Sequence, residues 1–351
     1  MINTQKLTLQ SNDKLGLLSN LSTMVNAGLT MAEAVESLLS DATGNMKVLL
    51  AGIQADITQG KPLHTALLKY SNVFDPVTVA IIKAAEESGT IDVVLKDIKN
   101  TIKKDIEFTD KIKSALTYPT IIFVVFCGVL LLLLTFVIPK IASVFTRLRV
   151  TLPLPTRILI AMSDLIVHYT VPTLAVVGVS ILLVYFLYIK KKKLVTQILL
   201  SLPYVSVMAR QIDLTRFCRS MYLLLNSAIP LYTALELTEH IAVKPEIAAA
   251  IARARQYVGT GKRVADGLHG QKAVPSLMVK IIEVGERSGT LEKSMDDLGE
   301  YFDYQVSTSL QYVVTLLEPV ILVAVGVVVG GMMMAIIAPI YGLIGQVGSL
   351  H

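Results

Sequence analysis

The sequence predicts an all-α protein: two duplicated cytoplasmic helical bundles, of about six helices each, and three transmembrane helices. Three observations predict it. The chain repeats itself at a fixed offset of 200 residues, apolar residues in each copy recur at helical spacing between turn signals, and three long windows carry no charge.

The offset is the firmest of the three. Asn26, Glu36, Glu86, Ser88, Gly89, Thr90, Asp97, Pro119 and Pro139 return as Asn226, Glu236, Glu286, Ser288, Gly289, Thr290, Asp297, Pro319 and Pro339. An offset kept over so long a stretch marks a duplication. Within the first copy, runs such as Leu15, Leu18, Leu21 and Val25 follow one helix face. Breaks at Ala27-Gly28, Thr43-Gly44, Gln59-Gly60, Asp75-Pro76 and Ser88-Gly89 divide it into helices. The second copy breaks at Ala228–Pro230, Lys244-Pro245, Gly259–Gly261, Val274-Pro275 and Ser288-Gly289. The last helix of each copy is long, starting after Thr90 or Thr290 and leading to Pro119 or Pro319. There proline suits the first turn of a new helix, and the simplest picture is a bundle helix that leads through a kink into a span.

With 53% hydrophobic and 17% charged residues, the chain is too apolar for an ordinary soluble protein. The uncharged windows Pro119–Pro139, Thr170–Ile189 and Pro319–Gln346 account for the excess. Each matches the ~20 residues that cross ~30 Å of hydrocarbon as a helix. The first thirty residues have no continuous apolar core, so no signal peptide is expected. Lysines crowd before the first window, at Lys99, Lys103, Lys104, Lys111 and Lys113, and after the second, at Lys190–Lys193. Basic residues flank spans on the cytoplasmic side. The expected organisation is a cytoplasmic bundle at 1–118, a span at 119–139, a periplasmic loop at 140–169 and a span at 170–189. A second cytoplasmic bundle at 190–318, a span at 319–340 and a periplasmic tail at 341–351 follow. The Lys190–Lys193 run sits where it would meet lipid headgroups.

The duplicated Glu-x-Ser-Gly-Thr element at Glu86 and Glu286 is partly explained by helix punctuation. Gly89 and Gly289 suit a left-handed helix end, and Thr90 and Thr290 suit the start of the next helix. The glutamates are not explained, because a carboxylate near a helix C-terminus meets the negative end of the dipole. An intramolecular partner, such as a lysine or a free backbone N–H, and a contact to a partner protein both remain open. Asp97 and Asp297 sit on a solvated face or on a docking surface. Asn26 and Asn226 can satisfy a helix end. Gly326, Gly330 and Gly331 in the last window allow close packing of a helix, beside the adaptable Met332–Met334.

Catalytic patterns are missing. Gly259-Thr-Gly-Lys-Arg263 lacks the first glycine and the final Ser/Thr of a phosphate loop and reads as a turn. The histidines have no metal spacing, and Cys127 and Cys218 read as small apolar side chains in a reducing compartment. No cofactor or metal is expected. The uncharged spans argue against an ion-coupled transporter, and the near-balanced charge against a nucleic-acid binder.

Taken together, the Asn-Ala-Gly-Leu turn at Asn26, its Asn-Ser-Ala-Ile-Pro-Leu counterpart at Asn226, the helices ending at Glu36 and Glu236, Glu-x-Ser-Gly-Thr and the spans carry a resemblance. They resemble the inner-membrane platform proteins of type IV pilus and type II secretion machines, the GspF/PilC family. Gly285 before Glu286 fits that family's pattern, whereas Ala85 stands in the first copy. The short stretch before the first bundle is similar to the type IVb pilus branch. The resemblance implies a non-enzymatic, homo-oligomeric scaffold in the bacterial inner membrane. Its implied partners are a hexameric cytoplasmic ATPase, pilin or pseudopilin subunits and other inner-membrane components. It makes Glu86, Glu286, Asp97 and Asp297 candidates for partner contact. A subunit of a transporter or channel is the alternative.

Overall fold

A computed structural model describes residues 7–148, 154–168 and 203–348, and among these the ordered elements are all helical. The first copy comprises α1 (Ser11–Asn26), α2 (Met31–Asp41), α3 (Gly44–Thr58), α4 (Leu63–Leu68), α5 (Pro76–Ser88) and α6 (Ile91–Leu132). A π-helical turn, Leu133–Val137, then leads into α7 (Ile138–Leu148), and α8 is Leu154–His168. The second copy comprises α9 (Pro203–Asn226), α10 (Leu231–Glu239), α11 (Pro245–Gly259), α12 (Val264–Leu268), α13 (Ser276–Ser288) and α14 (Leu291–Gly348). Helix ends fall at the turn signals, and local chemistry explains why. Thr30 and Glu33 form a reciprocal capping box at the start of α2. Asp75 accepts from the Thr78 N–H at 2.9 Å to open α5, with Pro76 in the first turn, where its missing N–H costs nothing. Gly89 and Gly289, at φ 71° and 70°, end α5 and α13 in the left-handed conformation. The turn after α1 uses Gly28 at positive φ, but the duplicate turn after α9 forces Ala228 to φ 57°.

Two compact units emerge. The first consists of Met1–Lys111 and Tyr204–Thr308. Residues of both copies, among them Leu18, Ile81, Leu95, Phe217, Met221 and Leu235, belong to one apolar cluster. Helices of five or six residues, such as α12 and α4, cannot hold themselves together, and close packing secures them. A Cβ on Gly267 of α12 would lie 2.5 Å from the Ala254 Cα of α11, so the two helices touch backbone to backbone. The Tyr70 hydroxyl fills the notch left by Gly52 on α3.

The second unit consists of Ile112–Pro203 and Ser309–His351. Among the described residues two helices are long and apolar enough to cross a membrane, α6 with its continuation to Val144 and α14. The expected span at 170–189 lies outside the described residues. Pro119 and Pro319 do not open separate helices, although, as expected, the long bundle helix leads on into the apolar stretch. Each sits inside one continuous helix, α6 or α14. An interior proline strips the carbonyl four residues earlier of its donor, which apolar helices tolerate when local geometry adjusts. Pro139 has a visible remedy. The Ile138 N–H reaches back five residues to the Leu133 carbonyl, making the π turn. The next carbonyl, Leu134, would face the proline nitrogen, which has no hydrogen. Ser163 of α8, buried, donates its hydroxyl to that carbonyl at 2.5 Å. The stretch expected as a loop at 140–169 thus contains α7 and α8, which pack on each other and on the π turn.

Candidate functional site

The repeated glutamates do the same job twice. Pro62 and Arg263, which precede α4 and α12, offer no side-chain cap to the orphan N–H groups of the first turn. Glu86 accepts from the N–H groups of Leu63 and His64, at 2.5 and 3.0 Å. Glu286 accepts from those of Val264 and Ala265, at 2.7 and 2.9 Å. A carboxylate at the positive end of a helix dipole, holding two N–H groups, is well placed electrostatically. Each glutamate therefore ties the C-terminal turn of α5 or α13 to the start of a helix more than twenty residues earlier. The first copy adds a contact, since His64 Nδ1 lies 2.5 Å from Glu86 Oε2. Ala265 takes that place in the second copy. The rest of the element is also duplicated. The Thr90 and Thr290 N–H groups close the preceding helices at 2.9 Å, and their hydroxyls meet those of Ser88 and Ser288.

Asp97 and Asp297 part company. Asp97 accepts from Asn226 Nδ2 at 3.0 Å, a bond between the two copies. Asp297 is exposed and carries no hydrogen bond or ion pair among the described residues. Asn26 turns back on its own helix and donates to the Ser22 carbonyl at 2.6 Å.

A polar seam continues along α6 within the first unit. Arg219 of α9, largely buried, donates to Asp105 at 3.0 Å and to Asp303 of α14 at 3.2 Å, and its guanidinium lies over the Phe108 ring. Lys111 also pairs with Asp303, and Lys104 with Asp296 and Glu300. This seam was not read from the sequence. Its members break the duplication: 200 residues away, Arg219 corresponds to Ser19, Asp105 to Gln305 and Asp303 to Lys103. Charged positions that differ between copies were the available signal.

Gly326, Gly330 and Gly331 lie exposed along α14, and a Cβ on any of them would meet open space. Cys218 is fully buried, and burial pushes its thiol pKa well up, so it is an inert packing group. Among the described residues no group of His, Cys, Asp and Glu could hold a metal ion. The arrangement is one of caps, seams and helix contacts.

The same family model fits each copy of the repeat. The family model for type II secretion system (T2SS) protein F matches twice, over residues 17–139 and 217–339. The type IV pilus assembly protein PilC of Thermus thermophilus is 30% identical over 331 residues, covering 93% of this chain and 81% of its own. PilC of Myxococcus xanthus is 27% identical, covering 96% and 82%. The type II secretion system protein F of Aeromonas hydrophila is 27% identical, covering 95% and 87%. The chain belongs to the GspF/PilC family of type IV pilus assembly and type II secretion proteins.

Proposed function

We propose that the chain is a non-enzymatic, homo-oligomeric platform in the bacterial inner membrane that couples a cytoplasmic hexameric ATPase to the assembly of pilin or pseudopilin subunits. The observation that carries this reading is the pair of long helices. In their polar stretches α6 and α14 are tied to one another through Lys104, Lys111 and Arg219. Each then runs on, without a helical break, into an apolar stretch. A soluble motor cannot grip a pilin helix embedded in lipid. A helix that is polar at one end and lipid-compatible at the other can pass a displacement between them.

The topology that goes with this reading has three spans, with both polar segments on the cytoplasmic face and the C-terminus in the periplasm. The flanking lysines support it. A reporter fused after residue 351 that is active only in the periplasm is the expected result, and cytoplasmic activity contradicts the topology. Of the four carboxylates considered for partner contact, Glu86 and Glu286 act on a partner surface only indirectly, by holding α4 and α12. Asp297, exposed, is the one kept as partner-facing.

The experiment is affinity capture of the tagged, full-length chain from membranes of its own cells, with and without nucleotide. Recovery of the assembly ATPase made alongside it, together with loss of pili or secretion when the chain is deleted, is expected. Normal piliation and secretion without the chain would refute the reading.

A further inference from the structure

Burial differs between the two copies at equivalent positions, and the difference marks a surface. On α5 the stripe Val77, Ile81 and Ala84 faces inward, where α5 lies against α10 of the second copy. Val77 and Ile81 are 7% and 0% exposed. The same stripe on α13 is Leu277, Ile281 and Val284, equally apolar, yet Leu277 is 44% exposed and Val284 64%, with Ile281 between them half-buried against the core. The turn that leads into α10 shows the converse. Ile229 is 7% exposed, while its counterpart Leu29, leading into α2, is 37% exposed.

Each copy therefore has a stripe face and a turn face. The stripe of the first copy is covered where α5 lies against α10, and in the turn of the second copy the Ile229 side chain is buried. The turn of the first copy and the stripe of the second stay open. The polar contacts follow the same rule. Asn226, at the end of α9 just before the turn that holds buried Ile229, donates to Asp97 of α6. Asn26 and Asp297 are the same pair of residue types at the two open faces, and they do not meet within the chain.

We propose that the open stripe of one chain, Leu277, Ile281 and Val284, docks on the open turn at Leu29 and on α2 of a second copy, with Asn26 donating to Asp297 across the contact. The occupant is argued from the chain itself, since one such interface already exists between its two copies and the unused halves of that pairing are both on display. The two faces differ, so the contact is heterologous. Joined chains still offer one face of each kind, and association does not stop at a dimer. The proposal names the faces of the homo-oligomer read above and rests on that part of the reading. Its test measures association alone, so its failure leaves coupling to an ATPase untouched.

The test uses full-length chain purified in detergent, sized by light scattering over a concentration series. Val284→Asp and Leu29→Asp alter exposed side chains, and an unchanged unfolding midpoint verifies that each variant is folded. Each variant alone should be monomeric where the unaltered chain forms dimers and larger species. Mixing the two should give dimers and nothing larger, because one intact stripe then meets one intact turn. As a second arm, Asn26→Cys and Asp297→Cys chains, both carrying Cys127→Ala, should be joined by a short bis-maleimide, with buried Cys218 silent. A monomeric unaltered chain, variants that keep its size distribution, a mixture that stays monomeric, or no cross-link would each overturn the proposal.

Discussion

The Glu286 carboxylate accepts the Val264 N–H at 2.7 Å, and that bond joins two helices that neither end could stabilise alone. The same bond recurs between Glu86 and Leu63. Losing a charge-assisted cap leaves buried N–H groups without an acceptor, which costs about 1.5–3 kcal/mol. Glu286→Ala and Glu86→Ala should each lower stability by that amount in denaturant unfolding. Amide exchange at Val264 and Ala265, or at Leu63 and His64, should speed up before the rest of the unit opens. Glutamine, which keeps one acceptor oxygen, should cost less than alanine.

Arg219 serves two carboxylates at once, Asp105 and Asp303. Lysine has one point charge where the guanidinium has a planar fork. Arg219→Lys should therefore lose one of the two contacts and the stacking over Phe108, and cost about 1–2 kcal/mol. Arg219→Ala should cost more, because Asp105 then loses its partner and Asp303 keeps only Lys111. Thermal unfolding of the two variants ranks them.

Asp56 is buried and held by Lys61 at 2.8 Å and by Lys69 at 2.7 Å. Hydrogen bonds from Lys61 and then Lys69 hold its pKa below the ordinary aspartate range. A carboxylate lowered on folding contributes stability that is complete above its unfolded pKa of about 3.9 and is lost as pH falls through the folded value. Asp56→Asn should destabilise the protein at neutral pH and flatten the fall in stability below about pH 4. An identical acid profile for variant and unaltered chain would contradict this.

Two small substitutions probe the differences between copies. Ala228→Gly relieves a left-handed alanine where the first copy already has Gly28, and should stabilise by about 0.5–1 kcal/mol. Gly285→Ala should destabilise by about 1–3 kcal/mol, because the new Cβ would meet Ser294 Cβ at 2.9 Å and Leu291 Cα at 3.2 Å. Ala85 is accommodated at the same place in the first copy, where Val94 replaces Ser294. Chemical unfolding of both variants checks the opposite signs.

Helix positions were legible where a boundary carries its own turn residue, as at Gly28 and Gly89, both at positive φ. The role of Glu86 stayed open because its partner, the Leu63 N–H, lies 23 residues away and has no side-chain signature. The polar seam was hidden for a different reason. Repetition draws attention to kept residues, and kept residues such as Glu86 and Gly89 serve the fold of each copy. Pairing unlike copies falls mostly to residues that diverged, such as Arg219 and Asp303; Asn226 and Asp97 are the kept pair that also joins the copies. The prolines misled by their local preference. Pro119 favours a helix start, but the neighbouring turns continue the helix through it. At Pro139 the π turn and Ser163 absorb the missing hydrogen bond, a remedy that depends on a helix outside the repeat.

The proposed coupling of motor to membrane runs through the tie between the two copies, in the polar stretches of α6 and α14. Charge reversal at the Arg219–Asp303 contact tests it most directly, with piliation or secretion and ATPase capture measured at matched protein levels. Arg219→Asp should abolish both and Asp303→Arg should do the same, because Asp105 and Lys111 then each face a like charge. Full function in either single reversal at normal protein levels would refute the proposed coupling.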